Sequence, residues 1–149
     1  MKARTIVLIV ALYAFGSAIC FASDPNMGTW KLNDAKSKFA PGATKNTTVV
    51  YAAAGEMVKV TTDGTTSDGK PAHSEWTGKF DGKDYAVTGD PTSDMRCYRK
   101  VNQRTLEVTS KKDTNVVSSG RIAVAADGKS RTVTLKGSGG TTTAVYDKQ

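Results

Sequence analysis

The chain has 149 residues, a formal charge of +7 and only 7% aromatic residues. One His and two Cys leave little material for a catalytic constellation or a disulfide framework. The basic residues are scattered, with no run interleaved with aromatics, which argues against a nucleic-acid surface.

Lys2 and Arg4 make a positive start, and Ile6 to Phe15 is an unbroken apolar run. The run is too short to cross a bilayer as a helix. A tail rich in small residues follows, Gly16 to Ala22. Together these read as a signal peptide over residues 1–22, with Cys20 at −3 and Ala22 at −1 of the cleavage site. Cleavage after Ala18 also fits the small-residue rule. The expectation is an exported protein, periplasmic or extracellular, that is not transmembrane after cleavage. Losing Lys2 and Arg4 takes +7 to +5, which suits an acidic envelope surface as a partner. Residues 23–149 are one domain, large enough for its own core and expected to be monomeric. Cleavage after Ala22 leaves Cys97 alone, whereas cleavage after Ala18 keeps Cys20 as its potential partner. Cys97 lies in a strand pattern, where a small buried hydrophobe is the commoner role.

Beyond residue 23 the chain is rich in Thr, Val, Gly and Asp, a composition that favours strands and turns. Turn signals recur at Ala54-Gly55, Asp63-Gly64, Asp68-Gly69, Asp81-Gly82, Asp90-Pro91 and Asn102-Gln103. They continue at Asp113 to Asn115, Asp127-Gly128 and Gly137 to Gly140. Between them the pattern predicts strands over 28–32, 46–53, 56–62, 71–80, 84–88, 94–101, 104–111, 115–125, 129–136 and 141–147. Asp34 to Phe39 could make one helical turn, ended by Pro41-Gly42. The expected class is all-β: a single antiparallel up-and-down barrel of about eight to ten strands, with a β-sandwich as the alternative.

Alternation sorts the faces. In 71–80, Ala72, Trp76, Gly78 and Phe80 share one face, and His73, Glu75, Thr77 and Lys79 the other. Leu106 and Val108 face inward in their strand, and Val116, Ser118, Gly120, Ile122 and Val124 share a face in theirs. Arg99 falls with Met95, Cys97 and Val101, and Arg131 with Val133 and Leu135. Two arginines thus fall on apparent inward faces, where a guanidinium is costly unless something pairs it. Arg131 has three fates open: stacking on Trp30, pairing with an anionic ligand, or turning outward at a bulge near Lys129-Ser130.

Gly28-Thr29-Trp30-Lys31-Leu32 followed by a run of hairpins resembles the calycin group, which holds lipocalins and fatty-acid-binding proteins. Thr132 to Lys136, a glycine turn and Thr141 to Lys148 resemble the last hairpin of fatty-acid-binding proteins. The stretch Gly28 to Gly42, Asp81 to Tyr85 and Thr105-Leu106-Glu107 are similar to secreted bacterial lipocalin-like proteins of unassigned activity. The resemblance implies a barrel plugged at its closed end by Gly28 and Trp30. It also implies a small apolar or anionic amphipathic ligand in the cup. Tyr146 matches the Tyr of the fatty-acid-binding carboxylate clamp, but Ala144 stands where that clamp has Arg. The capping helix pair has no room between Leu32 and Thr47, and the lipocalin Thr-Asp-Tyr motif is absent.

The candidate ligand-binding residues are therefore Arg131, Arg99 and Tyr146. His73 and Glu75 share a strand face and form the nearest approach to an acid–base or metal pair, but no third ligand is visible. No catalytic residue, cofactor site or metal site is expected. The two functional readings are a binding barrel and a filled barrel that serves as a structural or interaction module.

Overall fold

The turn chemistry divides the described residues into ten strands: β1 (Gly28–Lys38), β2 (Lys45–Ala54), β3 (Met57–Thr65), β4 (Pro71–Gly78) and β5 (Tyr85–Thr88), then β6 (Met95–Asn102), β7 (Thr105–Lys112), β8 (Asn115–Val124), β9 (Ser130–Gly137) and β10 (Gly140–Lys148). The computed structural model describes residues 24–149; the signal peptide read at 1–22, and Cys20 with it, lie outside the described residues.

Every strand pairs antiparallel with its sequence neighbour, and β1 closes the ring against β10. Leu32 sits opposite Tyr146, and Trp30 opposite Lys148. Closure leaves no exposed sheet edge among the described strands, which protects the barrel from edge pairing. The fold is a closed ten-stranded antiparallel barrel.

Three local expectations are corrected. Asp34 to Phe39 forms no helical turn; β1 continues to Lys38 through a large bulge. Asn33 opposes Val145 and Lys38 opposes Thr143, so β1 carries the surplus residues. The Ser37 hydroxyl fills the gap, donating to Asn33 O at 2.7 Å and accepting from Val145 N–H at 2.9 Å. Asp63-Gly64 is not a turn but lies within β3. A Cβ on Gly64 would sit 2.0 Å from Lys45 O, so glycine is there for the close approach of β2. In β8, the register slips between Ser110 and Lys111 of its partner. Val116 is thereby turned out and is 60% exposed, although alternation had grouped it with Ile122 and Val124.

The core is densest at one end of the barrel, where the β4–β5 connection and the start of β1 both lie. Near the β4–β5 connection, Trp76 stacks with Phe80 and meets Tyr98 edge-on at 4.7 Å. At the same end, Trp30 is fully buried and its Nε1–H donates to Asn26 O at 3.0 Å. Gly28 enters β1 at φ 110°, and a Cβ there would press on the Lys148 side chain at 3.1 Å. Among the described residues no helix is long and apolar enough to cross a membrane.

Candidate ligand cavity

The opposite end is open. The loops after β1, β3, β5 and β9 surround a cavity of about 490 Å³, with Pro41, Thr66, Asp90 and Ser138 at its rim. The cavity reaches down to Tyr51, Tyr146 and Arg131.

Arg131 is carried inward by the regular alternation of β9, paired in register with Tyr146 on one side and Val124 on the other. It is only 2% exposed. Its Cζ lies 4.6 Å from the Trp30 ring centroid, 4.7 Å from Tyr51 and 5.1 Å from Tyr146. No bulge turns it outward, which removes that fate. Its Nε and Nη1 find no hydrogen-bond partner among the described residues. Aromatic faces repay part of the desolvation of a buried cation. They do not replace the hydrogen bonds that its N–H groups lost on leaving water.

The tyrosines around Arg131 stay neutral. Burial pushes the Tyr146 hydroxyl up to about 12, and pushes Tyr51 higher still. Neither phenol can therefore neutralise the guanidinium near neutral pH. Tyr146 instead donates its hydroxyl to Asn46 O at 2.9 Å. The clamp position at Ala144 is filled by a small buried methyl and offers no charge.

Arg99 does not reach the cavity. It projects from the outer face of β6, with its side chain 59% exposed, and pairs with Glu107. Glu107 also accepts from Arg121 at 3.2 Å. The alternation grouped Arg99 correctly with Cys97 and Val101 but placed that group on the wrong side. Tyr98, 3% exposed, fixes the opposite face as the inward one. Cys97 is consequently half-buried on the outer face rather than in the core, and burial pushes its thiol pKa up.

The same geometry brings in a residue that the sequence reading missed. Arg96 shares the Tyr98 face, lines the cavity and has a side chain only 12% exposed. Its Nη2 meets Asp90 Oδ2 at 3.1 Å, and its Nε donates to Ser110 Oγ at 3.2 Å. Burial works against the Asp90 charge. Hydrogen bonds from Ser93 and Thr92, with the nearby Arg96 charge, nevertheless hold its carboxyl below the usual range. Tyr98 was the signal for Arg96: one large aromatic outweighs three smaller apolar residues in choosing the buried face.

His73 and Glu75 lie on the outer wall of β4. His73 Nδ1 meets Asp63 Oδ1 at 2.6 Å, and Nε2 lies 3.7 Å from Glu75 Oε1. The hydrogen bond to Asp63 raises the His73 pKa. Glu75 is engaged in turn by Lys59 at 2.9 Å. Among the described residues no cluster of three such side chains could hold a metal ion.

No protein-family model matches the chain, and no curated protein matches it. Among solved structures it is similar to a redesigned β-barrel, mFAP1, bound to DFHBI, at 14% identity and a TM-score of 0.48. That match covers 84% of this chain and 95% of the other. No functional argument follows from a likeness at this level.

Proposed function

We propose that this protein is an exported barrel that holds a small amphipathic molecule in its cup, with the molecule's anionic group at Arg131. The observation that carries the reading is the pair of unpartnered N–H atoms on a buried guanidinium beneath an open cavity of about 490 Å³. A carboxylate, sulfonate or phosphate would supply the acceptors that the three aromatic faces do not. A concave site with few convergent polar groups suits a small-molecule ligand. Export is supported by the pattern of residues 1–22, and the calycin-like Gly28-x-Trp30 opening fits a binding barrel. The exterior carries scattered lysines suited to an acidic envelope surface. The protein acts by binding rather than catalysis: the chain's one histidine projects from the outer wall beside Asp63 rather than toward the floor.

The second reading is a filled barrel that serves as an interaction module. It is favoured by the packed closed half, where Trp30 and Trp76 are almost completely buried.

Arg131→Gln separates the two. Titration with an anionic fluorescent lipid should show binding to the parent and at least tenfold weaker binding to the variant, with the melting temperature kept or raised. Native mass spectrometry of protein purified from its own host should show a co-purifying anionic molecule. A parent that binds no probe and carries no guest supports the interaction module instead.

A further inference from the structure

Among the described residues, the ionised side chains that line the cup are Arg131, Arg96 and Asp90. His73 also borders it, but its ring pairs with Asp63 on the outer wall. Lys148 lies near Trp30, gives its ammonium to the Pro25 carbonyl at 3.3 Å and does not line the cavity.

Arg96 and Asp90 cancel each other. Their side chains are 12% and 18% exposed, and Nη2 meets Oδ2 at 3.1 Å. Oδ2 also accepts from Ser93 Oγ at 2.6 Å, and Oδ1 accepts from Thr92 Oγ1 at 2.7 Å and Thr92 N–H at 2.8 Å. These donors keep the carboxyl ionised against the opposing effect of burial. All of them belong to residues 92–96, so the pair is built locally, in the passage from β5 into β6. Arg131 has no such partner. Two cations and one anion leave the lining with a single uncompensated positive charge, at its floor. Asp94, just before β6, accepts from the Asp113 N–H at 3.0 Å and adds negative charge near the mouth.

Charge then separates guests with heads of the same shape. Taking an ion out of water costs in proportion to the square of its charge, whereas its attraction to one fixed cation rises only in proportion to the charge. One negative charge at Arg131 makes the lining neutral. A second is harder to desolvate, meets no free cation and is opposed by the Asp90 carboxylate.

We infer that the ligand is a monoanion, and that Asp90 sets this charge by neutralising Arg96. The inference rests on the proposed cup-binding function and names the charge class of its ligand: a carboxylate, a sulfate, a sulfonate or a phosphodiester, and not a phosphate monoester.

Calorimetry on the purified protein at about pH 8 tests this, with four decyl amphiphiles below their micellar concentrations. Decyl sulfate and methyl decyl phosphate carry one charge on a tetrahedral head. Decyl phosphate has a head of the same shape with close to two charges, because its second pKa is about 6. Decanol has none. The monoanions should bind at least about tenfold more tightly than decyl phosphate or decanol. Asp90→Asn frees Arg96 at nearly constant shape. Attraction to the freed cation acts once on a monoanion and twice on a dianion, so decyl phosphate should gain by about the square of the factor that decyl sulfate gains. Arg96→Gln leaves Asp90 unpaired; it should weaken decyl phosphate more than decyl sulfate, and serves if Asp90→Asn does not fold. Decyl phosphate binding the parent as tightly as the monoanions overturns the inference and leaves the cup reading standing. Decanol binding as tightly as the monoanions overturns both the inference and the role of Arg131. A monoanion preference that the folded variants leave unmoved also overturns the inference. A parent that binds none of the four removes the cup reading, and the inference falls with it.

Discussion

Arg131 lies over Trp30, with its guanidinium carbon 4.6 Å from the ring centroid, and so joins two strands, β9 and β1, that are not neighbours in the sheet. The contact closes the barrel floor from inside. Lys148, at the end of β10, sets a second cation 5.1 Å from the same ring. The plug is therefore a large aromatic held by a hydrogen bond to Asn26 and covered by positive charge.

Removal of the plug should be costly. Trp30→Ala deletes a fully buried indole and should lower stability by about 3–5 kcal/mol in denaturant unfolding. Trp30→Phe keeps most of the volume, loses the bond to Asn26 O, and should cost less. A Trp30→Ala protein with the parental midpoint would show that the floor is not a structural plug.

Asp90 should make the barrel acid-sensitive. Its carboxyl is held below its ordinary value of 3.8 in the folded state, against the opposing effect of burial. A depressed folded pKa contributes stability that is present above the unfolded value and lost as pH falls through the folded one. Between about pH 5 and pH 2 the parent should therefore lose more melting temperature than Asp90→Asn does. Equal losses in the two proteins would mean that the Asp90–Arg96 pair does not couple to folding.

The strands were legible because Asp-Gly and related turns punctuate alternating Thr/Val segments, and both signals are local. The bulges were not legible. Nothing in Asp34 to Ser37 announces that a hydroxyl will stand in for a ladder group at Val145, because that bond depends on β10. Val116 likewise faces solvent because of a register slip that is set across the β7–β8 hairpin. The β6 face was misread because apolar residues stand on both sides of that strand. Arg131 was legible because β9 is regular and its neighbours Val133 and Leu135 agree. The Thr62–Ser74 pair at the cavity wall was not, because it depends on the register between β3 and β4.

The two arginines of β6 should behave in opposite ways. Arg99→Ala removes an exposed pairing with Glu107 and should change stability by less than about 1 kcal/mol. It should leave binding of any cup ligand unchanged. Arg96→Met leaves Asp90 and Ser110 short of a donor at the cavity wall and should cost about 1–3 kcal/mol, with an altered ligand affinity. Ligand affinity that follows Arg99 and ignores Arg96 would mean that the assigned inward face of β6 is wrong.

His73 offers the cleanest titration, because it is the one histidine of the chain and gives an isolated ring resonance. Its hydrogen bond with Asp63 favours the protonated ring, and Glu75 adds a weaker pull from 3.7 Å. The folded pKa should therefore lie above the ordinary 6.5. A raised folded pKa contributes stability that is fully present below the unfolded value and fades as pH rises through the folded one. The ring is on the outer wall, so water and salt screen this contribution and the shift should shrink at high ionic strength. Asp63→Asn should move the NMR titration midpoint down toward 6.5, and Glu75→Gln should move it less, because the Asp63 contact at 2.6 Å is much the closer. A midpoint that drops further in Glu75→Gln than in Asp63→Asn would show that His73 turns toward Glu75 in solution, and that the Asp63 contact does not hold the ring.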